Sequence, residues 1–227
     1  REFHFSRTGD NFGWKKGTDG KWHLTYFVEG GRVKNNGEKT LKSALREVAE
    51  ITDGHFILTG NQNMIFAAVS DEGKTVIDKI LQKHNVAPAL ISGLRKNSIS
   101  CVALPTCPLA FAEAERYLPS LISKIEKILE AHTLFKEEIV IRMTGCPNGC
   151  GRPYLAEIGL IGKSPGYYNL YLGGSFNGTR LNSLYRETIN EDEIVRELKV
   201  LIADFAANRN AGEHFGDFVI RKNYVKE

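Results

Sequence analysis

The cysteines are the residues of this chain whose type and spacing point most directly to chemistry. There are four in 227 residues, all inside one fifty-residue window. Cys101 and Cys107 have five residues between them, and Cys146 and Cys150 have three, inside Thr144-Gly145-Cys146-Pro147-Asn148-Gly149-Cys150-Gly151. Thiols used only for packing seldom pair twice and leave the rest of a chain empty of them, whereas a four-thiolate metal site requires that economy. The pattern reads as an iron-sulfur site. Zinc ligands usually stand two to four residues apart, which the first pair does not satisfy. Two disulfides suit a small secreted domain short of core, which is not expected of a chain this long with no secretory leader. Cys146 and Cys150 sit among glycines and a proline, which offer buried structural thiols little to pack against. The common ferredoxin spacings are absent, so the expected cluster is of another kind.

The neighbouring residues suit such a site. Gly145, Gly149 and Gly151 let backbone approach a bulky inorganic group, and exposed N–H groups of the loop can point at cluster sulfurs. Pro147 and Pro153 stiffen the turn. Asn148 is either a hydrogen-bond donor to a cofactor or a turn residue tolerant of left-handed geometry. Arg142 and Arg152 are candidates for anionic carboxylates, with surface exposure the competing reading, and Lys163 and Arg180 are further candidates of the same kind. Of the six histidines, His23 alternates with strand residues, His84 and His132 sit near helix ends, and His4, His55 and His214 have no carboxylate or cysteine partner at ligand spacing, so none is assigned a role.

Two stretches carry a resemblance. The first is Cys101-Val-Ala-Leu-Pro-Thr-Cys107-Pro-Leu-Ala-Phe-Ala-Glu-Ala-Glu-Arg116, and the second is Thr144-Gly-Cys-Pro-Asn-Gly-Cys150-Gly-Arg-Pro153. Together they resemble the sirohaem-dependent sulfite reductase hemoproteins. The likeness continues through Gly13-Trp14, Trp22 to Thr25, Asn61-Gln62-Asn63, Tyr168 to Leu170, Leu172 to Gly174, and Gly212 to Phe218, and so covers nearly the whole chain. It implies that Cys101, Cys107, Cys146 and Cys150 hold a 4Fe-4S cluster and that Cys150 is also the axial sulfur of the sirohaem iron. One bridging sulfur would couple the two redox centres and leave the opposite haem face to substrate. The implied activity is the six-electron reduction of sulfite to hydrogen sulfide in sulfur assimilation. Sirohaem nitrite reductases share the cysteine spacing, but those that reduce nitrite commonly carry serine where Gly149 stands, so the context favours sulfite. The NADPH-dependent form is resembled most, in which this hemoprotein is the beta subunit and a flavoprotein alpha subunit donates electrons; ferredoxin is the alternative donor. The resemblance matches the carboxy-terminal half of a protein about twice as long, and the chain begins at Arg1, so a fragment is expected. The amino-terminal half of the same polypeptide would be its partner, supplying basic residues that grip sulfite and haem carboxylates. A non-catalytic module, with four cysteines holding metal only to fold the domain, is the alternative from another class.

The expected fold class is α+β, with a ferredoxin-like split βαβ domain over 1–90 followed by an α/β domain binding sirohaem and 4Fe-4S over 91–227. Trp22–Val28 reads as a strand, and a helix from about Thr40 carries Leu41, Ala44, Leu45 and Val48 on one face. Strands His55–Thr59 and Met64–Val69 follow, with Asn61-Gln62-Asn63 as a turn or a polar contact to cofactor, and then a helix near Lys74–His84. This β-α-β-β-α order suits a split βαβ layer. After a linker near Val86–Ser98, helices are expected at Pro108–Tyr117 and Pro119–Ala131. A buried strand over Glu138–Met143 delivers Cys146 and Cys150 at its carboxyl end, where α/β sheets place ligands. Strands near Leu155–Ile161 and Asn169–Leu172 and a last helix opened by an Asn190/Glu193 capping box complete the pattern. Hydrophobic content of 42% suits a packed core, and no apolar run reaches the length of a membrane span. A net charge of +3 without a basic block gives nucleic-acid binding little support. The thiols favour a reducing compartment, expected to be the cytoplasm.

Overall fold

Apolar residues at helical spacing on Leu41–Ile51 (α1) and Asp71–Lys83 (α2) bury Ala44, Val48, Ile77, Ile80 and Leu81. In the computed structural model, which describes residues 9–52 and 54–226, they pack with Leu24, Tyr26 and Phe66 of a four-stranded antiparallel sheet. Its strands are Gly13–Lys16 (β1), Trp22–Tyr26 (β2), His55–Leu58 (β5) and Met64–Val69 (β6), in the order β1-β2-β6-β5. A two-stranded hairpin, Asn35–Asn36 (β3) with Lys39–Thr40 (β4), precedes α1. The helix expected from Lys74 begins at Asp71, because the Ser70 hydroxyl accepts the Gly73 N–H and two acidic residues follow.

Asn61-Gln62-Asn63 forms a turn whose two asparagine side chains are engaged within the unit. The side-chain N–H groups of Asn61 and Asn63 donate to Asp10 at 3.1 and 2.8 Å, and Asn63 Oδ1 accepts the Val28 N–H at 3.0 Å. His4 lies outside the described residues.

The chain divides by contacts into two units, with the change at Leu90/Ile91. The second unit has a five-stranded mixed sheet, order β11-β10-β9-β8-β7. A short helix, Gly93–Lys96 (α3), precedes Ser98–Ser100 (β7). Helix Leu118–Ala131 (α4) then leads back to Ile141–Thr144 (β8), parallel to β7. Strand Ile158–Ser164 (β9) is parallel to β8, and Tyr167–Leu172 (β10) and Ser183–Ile189 (β11) add antiparallel. Helices Glu191–Asn208 (α5) and Phe215–Arg221 (α6) close the unit, and one apolar core joins α4, α5, α6 and the sheet. The Asn190/Glu193 capping box is present. The α+β class is therefore the one found.

Four local readings change, the first being the strand expected over Glu138–Met143, which runs Ile141–Thr144. Pro108–Tyr117 is not a helix but a run of turns, because its amides leave the local pattern: Phe111 and Ala112 donate to Gly145 O, and Glu115 donates to Cys101 O. The stretch read as a linker holds α3, capped by the Ser92 hydroxyl, and Arg95 of that helix pairs with Glu126 of α4 at 2.6 Å. The strand expected from Leu155 begins at Ile158, since Pro153–Leu155 forms a 3-10 turn.

Candidate metal centre

Strands β7 and β8 run parallel with Ser100 opposite Met143, so their carboxyl ends share one edge of the sheet. The Cys101 N–H donates to Met143 O at 3.1 Å, one residue beyond β7. From β8 the chain passes Gly145 and enters the Cys146–Cys150 turn, and the Gly145 N–H donates to Cys101 Sγ at 3.3 Å. The two cysteine pairs thus arise side by side, although much sequence separates them.

The loop after Cys101 bends back at once. Thr106 and Cys107 N–H groups both donate to Ala103 O, at 3.0 and 2.8 Å, which sets Cys107 on a tight turn. Phe111 and Ala112 donate to Gly145 O at 2.8 and 3.1 Å, and Glu115 to Cys101 O at 3.1 Å. The loop is therefore stitched, backbone to backbone, onto the residues that carry the other pair. Only small residues permit this: a Cβ on Gly145 would lie 2.6 Å from Ala112 O and 2.7 Å from the Ala103 Cβ. In the second turn Gly149 has φ +70°, and the Arg152 N–H donates to Gly149 O at 2.7 Å.

Cys146 is buried, Cys101 and Cys107 are half-buried and Cys150 is exposed. Burial pushes the Cys101 thiol up; the Gly145 and Ala103 N–H groups oppose that, and Cys150 and Cys146 add to it. Among the described residues no three His, Cys, Asp or Glu side chains are placed to hold a single metal ion. Arg142, half-buried on β8, has its pKa lowered to about 10 by burial and by Arg152, and its Nε is buried without a hydrogen-bond partner. An orphaned cationic donor of this kind fits an anionic group such as a haem carboxylate.

Asn148 is exposed between Cys146 and Cys150. Lys163 is exposed, while Arg180 is already paired with Asp217 at 2.6 Å and donates to Gly173 O. Besides β1, the β3–β4 hairpin, β11 and α6, two features of the second unit escaped the sequence reading. One is β7, whose only signal is the alternation Ser98-Ile99-Ser100. The other is Glu157, a fully buried carboxylate whose only signal is an acidic residue at the head of an apolar run.

Residues 15–84 match the nitrite/sulfite reductase ferredoxin-like half domain. Over 228 aligned residues, 100% of the chain, identity is 55% to the sulfite reductase (NADPH) hemoprotein beta-component of Geobacillus thermodenitrificans strain NG80-2. The chain is similar to sulfite reductase hemoproteins. The beta-component of Paenibacillus sp. strain JDR-2 is 56% identical over 227 residues, and the chain spans 40% of the length of each of these hemoproteins. Among solved structures, the Mycobacterium tuberculosis NirA protein matches with a TM-score of 0.80 at 22% identity, over 97% of this chain and 42% of that one. Dissimilatory sulfite reductase I matches with a TM-score of 0.60 at 11% identity, over 88% and 66%. These two likenesses are of fold. No helix of the described residues is long and apolar enough to cross a membrane.

Proposed function

We propose that this chain is the cofactor-holding part of an assimilatory sulfite reductase hemoprotein, with Cys101, Cys107, Cys146 and Cys150 as ligands of a 4Fe-4S cluster and Cys150 also the axial ligand of sirohaem. The observation that carries the reading is the parallel β7–β8 pair, which brings both cysteine pairs to one sheet edge in a chain similar throughout to sulfite reductase hemoproteins. When bound, cluster and haem would relay to sulfite, from the flavoprotein donor, the six electrons that its reduction to hydrogen sulfide requires.

The protein's own residues do the rest. The β7 and β8 ends orient the thiolates, the Gly145 N–H donates to a ligand sulfur, and the small residues Ala103, Ala112 and Gly145 keep the backbone packed beneath the site. Arg142 and Asn148 are positioned to meet anionic groups, Arg142 by its unsatisfied Nε and Asn148 by its exposure between two ligands. The domain roles proposed are the ferredoxin-like half domain over 1–90 and the cofactor domain over 91–227. The remainder of a longer polypeptide, sulfite and a flavoprotein alpha subunit are the proposed partners, in the cytoplasm.

An anaerobic visible spectrum of the full-length protein, with iron and acid-labile sulfide analysis, tests this. Isobacteriochlorin bands that shift on adding sulfite, and shift less with nitrite, support the reading. A colourless protein that binds zinc overturns it in favour of a structural module.

A further inference from the structure

Glu157 lies in the interior, away from the cysteines, at the point where the chain returns from the Cys146–Cys150 turn to the sheet. A buried carboxylate stabilises a fold less readily than a hydrophobic residue of similar size, so its partners explain its place. Its Oε2 accepts the Val140 N–H at 2.8 Å and its Oε1 accepts the Gly216 N–H at 2.7 Å. Its own carbonyl accepts the Gly173 N–H at 3.2 Å, and the Ile158 N–H donates to Val140 O at 3.0 Å. Val140 is the last residue before β8 and Glu157 the last before β9. Everything between them is the strand and turn that carry Cys146 and Cys150. The carboxyl group therefore ties together the two ends of that excursion. Its second oxygen anchors the tie to α6, where Gly216 is packed so closely that a Cβ would lie 1.8 Å from Gly174 O.

We infer that Glu157 is a positioning residue for the cysteine turn: by accepting the Val140 and Gly216 amides it sets where β8 delivers Cys146 and Cys150. The inference rests on the reading of those cysteines as ligands. Replacing Glu157 with Gln keeps the volume and one acceptor, and replacing it with Met keeps the volume and neither. Each lost acceptor leaves a buried backbone N–H unsatisfied, a cost that corresponds to roughly a tenfold change or more in local opening.

The test uses the full-length holoprotein with two readouts: the rate at which a chelator bleaches the iron-sulfur absorption, and amide hydrogen exchange by peptide. Expected for Glu157→Gln is bleaching about 10-fold faster, with exchange raised over 145–152 and unchanged in α4 and α5, and a larger effect of both kinds for Glu157→Met. Bleaching at the wild-type rate overturns the inference. So does exchange raised equally through α4 and α5, which is the signature of a merely structural acid. Absence of iron-sulfur absorption from the unmodified protein removes the ligand reading instead, and exchange over 145–152 then decides alone whether Glu157 positions the turn.

Discussion

The 9–90 unit and the cysteine-bearing stretch of the second unit are built on different terms. In the first, order comes from side chains: helices α1 and α2 lay regular apolar faces on an antiparallel sheet, and the core is Leu24, Phe66, Ile77 and their neighbours. In 101–117 order comes from the backbone, with no α-helix or strand before α4, yet amides of Cys107, Phe111, Ala112 and Glu115 all donate within the site. Where main chain touches main chain the residues are small: Ala103, Ala110 and Ala112 meet Gly145. Cβ atoms on Gly145 and Gly162 would each meet a carbonyl oxygen, at 2.6 and 2.5 Å. The cysteine-bearing stretch gives up periodic packing for close approach, and its tolerance of added atoms falls accordingly.

The sharpest way to break that contrast is at the thiols. Cys150→Ser in the full-length protein is expected to bring sulfite reduction to background and alter the visible spectrum while the ferredoxin-like unit keeps its fold; full sulfide production by this variant would refute the bridge assignment.

Next comes the added methyl group. Gly145→Ala should cost roughly 3 kcal/mol by overpacking. Gly20→Ala in the other unit has nothing within 4 Å and only its φ of +77° to resist it, so it should cost about 1 kcal/mol. Paired denaturant titrations compare them, and equal losses would erase the distinction drawn here.

The buried acid adds a pH dependence that belongs to the second unit alone. Burial pushes Glu157 up to about 8, with Asp217 and Glu137 adding to it against two backbone donors. The folded protein then holds a proton that the unfolded chain has released, so this group's contribution to stability is greatest below about pH 4.5. It is lost as pH rises toward about 8, a change on the order of a few kcal/mol. A stability–pH curve that is no flatter in Glu157→Gln than in the parent would count against this.

The smallest effect is at a cap. Asn190→Ala should lose about 1 kcal/mol of stability, read from a melting curve, and should leave the visible spectrum untouched.

Legibility follows the same division. The α1 face, the strand Met64–Val69 and the Asn190 cap could be read because each rests on a repeat or a local capping pair within a few residues. The pairing of the cysteines was legible as spacing, but not the reason they meet, because β7 is three residues long and owes its place to a partner forty residues away. Pro108–Tyr117 looked helical because its alanines and glutamates favour helix; tertiary hydrogen bonds to Gly145 and Cys101 outweigh that propensity. Glu157 was invisible for a related reason, since both of its donors are distant in sequence.

The β7–β8 pairing also fixes a schedule. Cys101 and Cys107 leave the ribosome before Cys146 and Cys150 exist, with α4 synthesised between the two pairs. No shorter stretch of nascent chain contains the binding site. On the proposed reading, metal and macrocycle meet their full ligand set only after both cysteine pairs have been synthesised, and until then thiols that air readily oxidises have to be sheltered.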